Sequence, residues 1–175
     1  MSGGDQRLET GRLALRPPRS GDLDGYLAIF LRPEVGEWLR PPPLDPIDEE
    51  TVREILAADL AHWEEHCFGQ WAVTERGRDA LVGRGGFSWT KVEGVPAVEL
   101  AWTVDPDRHR NGIATELGAA AVELARNRGI AELVAMTLPH NRASRRVAEK
   151  LEMEPAGEIV HAGLPHVLYR LKLAE

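Results

Sequence analysis

An apolar strand that runs into a glycine-started helix is the feature that most constrains this chain. The segment from Val98 to Leu117 predicts a strand that ends at Asp105, a short polar loop, and a helix that opens at Gly112. The first N–H groups of a helix have no intrahelical partner, and the helix dipole adds partial positive charge there. This order of elements predicts a cradle for a phosphate group. Gly112 would leave room where an anionic ligand comes close.

The predicted cradle lacks the two common nucleotide motifs. No Gly-Lys-Ser/Thr follows, as a P-loop requires, and the Gly-x-Gly-x-x-Gly pattern of dinucleotide-binding folds is also missing. A nucleotide-binding domain is therefore disfavoured, and the phosphate would belong to another carrier. Taken alone, an ordinary strand–loop–helix explains the segment equally well.

Composition indicates which binding partners and which cellular location to expect. The chain has 175 residues, 43% of them hydrophobic, and a net charge of −7, which argues against binding to nucleic acid or a membrane surface. No apolar run approaches the roughly 18 residues of a transmembrane span, and the first residues lack a signal-peptide core. We expect one cytoplasmic domain over residues 1–175, with 1–7 disordered.

Cysteine and histidine usage gives no metal site. The single cysteine, Cys67, excludes an internal disulfide and a cysteine zinc cluster, and we expect it to cap a helix end. His62 and His66 lie four residues apart on a predicted helix, but no Glu follows the first histidine as in the zinc-protease motif. A solvated helix face is favoured over a metal pair.

Hydrophobic periodicity predicts an α+β fold. Ser20 and Asp48 are candidate caps for the first and third helices. The predicted strands cover 12–16, 70–75, 81–88, 97–104, 132–137, 157–161 and 166–173, and the predicted helices cover 21–31, 33–38, 48–66, 112–128 and 142–152. The crossover from strand 97–104 through a helix to strand 132–137 predicts a parallel pair, whereas the flanking hairpins are antiparallel. The result is a single mixed, twisted sheet of about seven strands with helices on both faces.

Several stretches of the chain form an ordered set of motifs: 8–16, 32–35, 71–73, 81–83, His109-Arg-Asn-Gly-Ile-Ala114, 115–116 and 141–151. This set resembles the GNAT superfamily of acyl-CoA N-acyltransferases, and within it the RimJ/RimL-like branch. The segment 109–114 lies on the Gln/Arg-x-x-Gly-x-Gly/Ala signature of that superfamily. The resemblance implies acetyl-CoA as co-substrate, no metal, and a GNAT-like central parallel strand pair that is splayed to admit acyl-CoA. A homodimer is expected from the resemblance only.

The resemblance also implies which residues bind acyl-CoA. Backbone N–H groups between His109 and Ala114 would hold the pyrophosphate, and the strand at 102–104 would pair with the pantetheine. Asn141 would steady the pantetheine, and it is equally a candidate N-cap for the following helix. The implied cofactor residues are Trp102, Thr103, Val104, His109, Arg110, Asn111, Gly112, Ile113, Ala114, Thr115, Asn141 and Ser144.

Two residues are candidates for proton transfer. Ser144 resembles a hydroxyl near the thioester sulfur, where it would bond the leaving thiolate or relay a proton; otherwise it is a solvent-facing helix residue. The tyrosine acid of many superfamily members falls at Ala148, so that acid is excluded. A lysine-like amine, with a pKa of about 10.4, needs a base, whereas an α-amine needs little help. Glu99 is the candidate base, through water; otherwise it is an exposed strand residue or an ion-pair partner.

The amine acceptor is the least constrained part. Glu37, Trp38 and Trp89 could line its pocket, because carboxylates and aromatic faces suit a cation; surface charge and core packing explain them as well. The predicted reaction is acetyl transfer to a primary amine of a protein N-terminus, an amino acid or a cationic small molecule. The alternative is a non-catalytic acyl-CoA-binding or regulatory module. It is supported by the missing tyrosine, by His109, and by Glu152 where the family has a cap glycine.

Overall fold

The computed structural model describes residues 7–174. Within them, the strands are β1 (Leu8–Glu9), β2 (Leu13–Arg16), β3 (Gln70–Glu75), β4 (Leu81–Val92), β5 (Val95–Val104), β6 (Glu132–Thr137), β7 (Glu154–His161) and β8 (Leu164–Lys172). The helices are α1 (Leu23–Phe30), α2 (Pro33–Leu39), α3 (Glu49–His66), α4 (Ile113–Asn127) and α5 (Arg142–Lys150). The segment 1–7, predicted to be disordered, lies outside the described residues except for Arg7, which precedes β1.

The strands form one mixed sheet in the order β1-β2-β3-β4-β5-β6-β8-β7. Neighbours are antiparallel except β5 and β6, which α4 joins in parallel. The predicted α+β class and parallel crossover are therefore confirmed. The sheet has eight strands rather than about seven, because Leu8–Glu9 pairs with Ala14 and Leu15. A strand of two residues is too short to show a period in the sequence.

Helices cover both faces of the sheet. α4 buries Ile113, Leu117 and Ala121 in the main core, and α5 adds Ala148 to the same core. On the opposite face, Gly25 of α1 lies against the side chain of Leu81, where an added Cβ would come 2.6 Å from Cδ1 of that leucine. α3 contacts this second face of β4 through polar side chains that are described below.

Three predictions about helix ends can be compared with the structure. Asp48 caps α3, its Oδ1 accepting the N–H of Thr51 at 2.8 Å, and Cys67 ends this helix in a left-handed conformation with φ 58°. Both predictions are confirmed. The prediction that Ser20 caps the first helix is wrong, because Ser20 lies inside a 3₁₀ turn, Ser20–Asp22, that precedes α1.

An ion pair explains that 3₁₀ turn. Asp22 binds the guanidinium of Arg16 through both carboxylate oxygens, at 2.7 and 2.8 Å, and also accepts the N–H of Arg19 at 2.7 Å. The carboxylate therefore fixes the turn Ser20–Asp22, which directly precedes α1. Its bond to Arg16 links two elements, and local sequence signals for a helix cap do not report such a contact.

His62 is not on a solvated helix face, contrary to the prediction. Its Nδ1 lies 2.7 Å from the carbonyl oxygen of Phe68, and its Nε2 accepts the N–H of Trp89 at 3.1 Å. Because a carbonyl only accepts, Nδ1 carries the proton. Burial lowers the pKa of His62, which favours this neutral form. The ring thus joins the end of α3 to β4.

The arrangement of side chains and helices bears on metal binding and on membrane insertion. In the part of the chain that the structure describes, no group of three or more His, Cys, Asp or Glu side chains is placed to hold a metal ion. Among the same residues, none of the helices combines the length and apolar character needed to cross a bilayer.

Candidate active site

The parallel strands β5 and β6 separate, as the sequence analysis predicted. A single residue pair, Glu99 with Val134, joins them. On its other side β5 stays paired with β4 as far as Val104. Within residues 7–174, the stretch 100–104 of β5 has no ladder partner on the side of β6. Its backbone N–H and C=O groups on that side face an opening.

The start of α4 lies beyond the end of β5. Gly112 is the N-cap, in a left-handed conformation with φ 76°, and no side chain caps the helix. The backbone N–H groups of Ile113, Ala114 and Thr115 are in the first turn, where no intrahelical partner exists. A Cβ at residue 112 would lie 3.3 Å from Nη2 of Arg12. The backbone conformation therefore explains this glycine by itself, and its role in admitting an anion stays a prediction.

Side-chain bonds fix the loop between β5 and α4. His109 Nε2 lies 2.9 Å from the carbonyl oxygen of Val104, and it must donate because that oxygen only accepts. Arg12 donates to the carbonyl oxygen of Asn111 at 2.7 Å. Arg110 is exposed and has a positive φ of 63°. The predicted cofactor residues from His109 to Thr115 are thus gathered around one helix start.

The second predicted cofactor element is the start of α5. Asn141 Oδ1 accepts the N–H of Ser144 at 3.1 Å, so the predicted N-cap is confirmed. Ser144 is half-buried rather than fully turned to solvent. Ala148, at the position where the resemblance implied a tyrosine acid, is 1% exposed and belongs to the core. Arg145 donates to the Tyr169 hydroxyl at 3.1 Å, which ties α5 to β8.

Glu99 lies where β5 and β6 begin to separate. Val98 and Leu100 enter the core on the α4 face, so Glu99 points to the opposite face, that of α1 and α3. In the described part of the chain its carboxyl group has no hydrogen-bond partner. Burial raises the pKa of Glu99 to about 7, although the positive charge of Arg84 opposes the rise. A carboxyl group with such a pKa is suited to accept a proton near neutral pH.

Sequence reasoning missed a buried polar cluster on the same face. Arg84 of β4 donates to both carboxylate oxygens of Asp59, at 2.6 and 2.8 Å, and the Tyr26 hydroxyl donates to Asp59 at 3.0 Å. Burial and the charge of Asp59 raise the pKa of Tyr26, so its hydroxyl stays protonated. A signal was present, because Asp59 falls on the same helical stripe as the apolar Leu56 and Trp63.

The structure separates the three candidate acceptor residues. Trp38 of α2 is half-buried, and its ring centroid lies 5.4 Å from that of His140, next to the start of α5. Glu37 is exposed on the same helix. Trp89, 49% exposed, lies 6.4 Å from Phe68, measured between ring centroids, on the sheet face opposite Glu99. The fold therefore brings Trp38 to the border of the site, whereas Trp89 is turned away.

Comparison with known proteins defines the class. Residues 12–154 match the family model described as an acetyltransferase (GNAT) domain. This chain belongs to the GNAT acetyltransferase family.

Three solved structures share its architecture. An acetyltransferase from Agrobacterium tumefaciens str. C58 is 23% identical, with 94% of this chain and 93% of that one covered and a TM-score of 0.81. The ribosomal-protein-S5-alanine acetyltransferase from Vibrio fischeri is 17% identical, with coverages of 95% and 96% and a TM-score of 0.72. RimJ from Mycobacterium smegmatis, in complex with CoA-disulfide, is 19% identical, with coverages of 91% and 81% and a TM-score of 0.70. At these identities the likeness establishes the fold.

Proposed function

We propose that this chain is an acetyl-CoA-dependent N-acetyltransferase that acts on a primary amine by direct attack. The observation that carries the proposal is the opening between β5 and β6, joined only at Glu99 and Val134. The unpaired backbone edge at Trp102–Val104 suits the amide groups of an extended pantetheine, which would add like a strand. The N–H groups at the start of α4 suit its pyrophosphate.

Each end of the cofactor has candidate partners. The pyrophosphate would lie on backbone N–H groups between His109 and Thr115, with the exposed guanidinium of Arg110 beside them. Asn141 would steady the pantetheine, although its side-chain oxygen already accepts the N–H of Ser144. The amide nitrogen of Asn141 remains free for this role within the described residues. Acetyl-CoA would supply an acetyl group with a thiolate leaving group.

Two residues would act on the reacting groups. Glu99 would accept a proton from the attacking amine, through water, because its carboxyl group is half-buried and has a pKa of about 7. As the bond between nitrogen and the acetyl carbon forms, the carbon–sulfur bond breaks. The Ser144 hydroxyl would then donate a hydrogen bond to the leaving thiolate.

The acceptor is proposed as a class only. A protein N-terminus, an amino acid or a cationic small molecule would satisfy a site bordered by Glu99, Glu37 and Trp38. A protein N-terminus is favoured by the likeness in fold to a ribosomal-protein acetyltransferase. We keep the cytoplasmic location and the homodimer as predictions.

Calorimetric titration and a thiol-release assay test the proposal. Acetyl-CoA and CoA should bind, whereas ATP and NAD at the same concentration should not. Thiol release should then depend on an added amine, from a panel of peptides, amino acids and aminoglycoside-like cations. Absence of acetyl-CoA binding by folded protein would contradict the proposal.

A non-catalytic acyl-CoA-binding module is the second candidate, and one observation favours it. Residue 148, where the resemblance implies a tyrosine acid, is an alanine that is buried in the core. Such a module would bind acetyl-CoA as tightly but release no thiol with any amine. Turnover therefore separates the two candidates.

A further inference from the structure

Three polar side chains lie in a row across the sheet, and we call Gln70, Ser88 and Glu99 the polar row. Gln70 Nε2 donates to Ser88 Oγ at 3.1 Å and to the carbonyl oxygen of Gly86 at 3.3 Å. Ser88 and Glu99 are directly opposed partners on β4 and β5. The polar row thus spans strands β3, β4 and β5.

All three side chains point to the face of α1 and α3. Trp71, Phe87 and Leu100 enter the main core on the α4 face. Successive side chains of a strand point to opposite faces, so the adjacent residues Gln70, Ser88 and Glu99 point the other way. The polar row ends at Glu99, where β5 and β6 separate. It therefore leads to the point at which the amine and the thioester would meet.

The hydrogen-bonding capacity of the polar row is not used up. Ser88 Oγ accepts from Gln70, so its own proton is free for donation toward Glu99, its cross-strand neighbour. Directly opposed Cβ atoms lie about 5 Å apart, so the two side chains can share one small donor group or a water molecule. Gln70 Oε1 is buried and has no partner among the described residues. Buried amide oxygens are rarely left unpaired, so a bridging water is the expected donor there.

We propose that Gln70 and Ser88 are positioning residues that hold the acceptor amine against Glu99, an inference that rests on the proposed function. A primary amine has two N–H groups besides the lone pair that attacks. One N–H would point toward Glu99, which takes the proton through water as the nitrogen–carbon bond forms and the carbon–sulfur bond breaks. The other would reach Gln70 Oε1 through a bridging water, because this oxygen is itself buried on β3. The Ser88 hydroxyl would donate to the ionised carboxylate and stabilise it.

Other charged groups on this face are paired, among them Arg170 of β8 with Glu132 of β6, on the far side of the opening. Arg84 of β4 faces Glu99 and is bound to Asp59 of α3, which in turn binds the Tyr26 hydroxyl of α1. None of these groups is changed in the test. A shift of the acidic limb caused by removing Ser88 can therefore be assigned to the polar row.

Kinetics against pH test the proposal with Ser88→Ala, Ser88→Thr and Gln70→Met. Ser88→Ala should lower kcat by about tenfold, the equivalent of one hydrogen bond lost in the transition state. It should also move the acidic limb of the profile to higher pH, because ionised Glu99 loses a donor. Ser88→Thr keeps the hydroxyl and should preserve both values. Thr90→Val, on the same strand face but one pair further from the opening, is the matched control and should behave as wild type.

Gln70→Met is tested by the preference of the enzyme between two amine substrates. Wild type should prefer a primary amine over its N-methyl derivative, and the methionine variant should lose at least part of that preference. Thermal unfolding and acetyl-CoA titration of every variant show whether fold and cofactor binding are kept. This inference alone would be overturned by two results together. Folded Ser88→Ala would keep the wild-type kcat and acidic limb, and folded Gln70→Met would keep the wild-type preference for a primary amine. Absence of thiol release in wild type would overturn it together with the proposed function.

Discussion

Replacing Glu99 with glutamine removes a half-buried carboxyl group from the point where β5 and β6 separate, and keeps its size. The folded protein holds the pKa of this group at about 7, because burial disfavours the charged form. In the unfolded chain the group titrates near 4.5. Both states are protonated below pH 4.5, so the substitution should change stability little there.

The predicted gain in stability of Glu99→Gln over the wild type appears as the pH rises. Between pH 4.5 and 7 the unfolded chain releases its proton first, so the wild type loses stability; above pH 7 the whole cost is present. The shift corresponds to about 3 kcal/mol, and glutamine does not incur it. Glu99→Gln should therefore unfold about 6–12 °C higher than wild type at pH 8. Glu123→Gln, at an exposed carboxylate of α4, is the control and should match wild type.

Activity should change in the opposite direction. Loss of a general base lowers the rate by about 100- to 10,000-fold, and the limb near pH 7 should disappear from the profile of kcat/KM. Acetyl-CoA affinity should stay within about threefold, because the cofactor contacts proposed here are elsewhere. The measurements are thermal unfolding at pH 4.5 and 8 and thiol release from pH 5.5 to 9. A variant that is less stable than wild type at pH 8, or that retains full activity with an unchanged limb, would refute the reasoning.

Three further changes test separate parts of the site. Gly112→Ala should weaken acetyl-CoA binding at least tenfold in a calorimetric titration. Gly129→Ala, which has a similar positive φ at the other end of α4, should leave the affinity unchanged, and equal affinities of the two variants would contradict the phosphate cradle. Asp59→Ala should destabilise the protein by about 3–5 kcal/mol in urea unfolding, because it leaves Arg84 buried without its carboxylate, and a change below about 1 kcal/mol would contradict this account. Ser144→Ala should lower kcat about tenfold without changing acetyl-CoA affinity, and an unchanged kcat would remove Ser144 from the mechanism.

Local patterns in the sequence were sufficient for the central part of the fold. β5, α4 and β6 are long and periodic, and the bounds predicted for strand 132–137 match Glu132–Thr137. Asp48 and Cys67 end α3 as predicted, because a cap depends on a few neighbouring residues. The prediction that Ser20 caps the first helix was wrong for a non-local reason. The turn that contains Ser20 is fixed by Asp22, and the ion-pair partner of Asp22 lies on β2.

The limits of the hairpins were less predictable. Strand 81–88 extends to Val92 and strand 97–104 begins at Val95, so that the turn is Glu93-Gly94, both with positive φ. Cross-strand pairing carries the ladder beyond the stretch where alternation is visible in the sequence. The side chains near that turn are largely exposed, so they leave little hydrophobic signal.

The candidate site was only partly readable. The residues around Gly112 and Asn141 are contiguous in sequence, so their grouping at two helix starts could be predicted. The orientation of Trp89 away from Glu99 depends on the register of β4 against β5, which no local pattern specifies. Gln70 and Asp59 come from different elements than Glu99, and only the folded sheet brings them to one face.

Backbone amide hydrogen exchange, with and without CoA, tests the central claim most directly. If CoA binds between β5 and β6, the amides of β5 between Leu100 and Val104 that do not pair with β4 should become protected. The amides of Ile113, Ala114 and Thr115 should become protected as well, whereas those of β7 and β8 should not change. CoA binding that leaves β5 and the start of α4 unprotected would contradict the account.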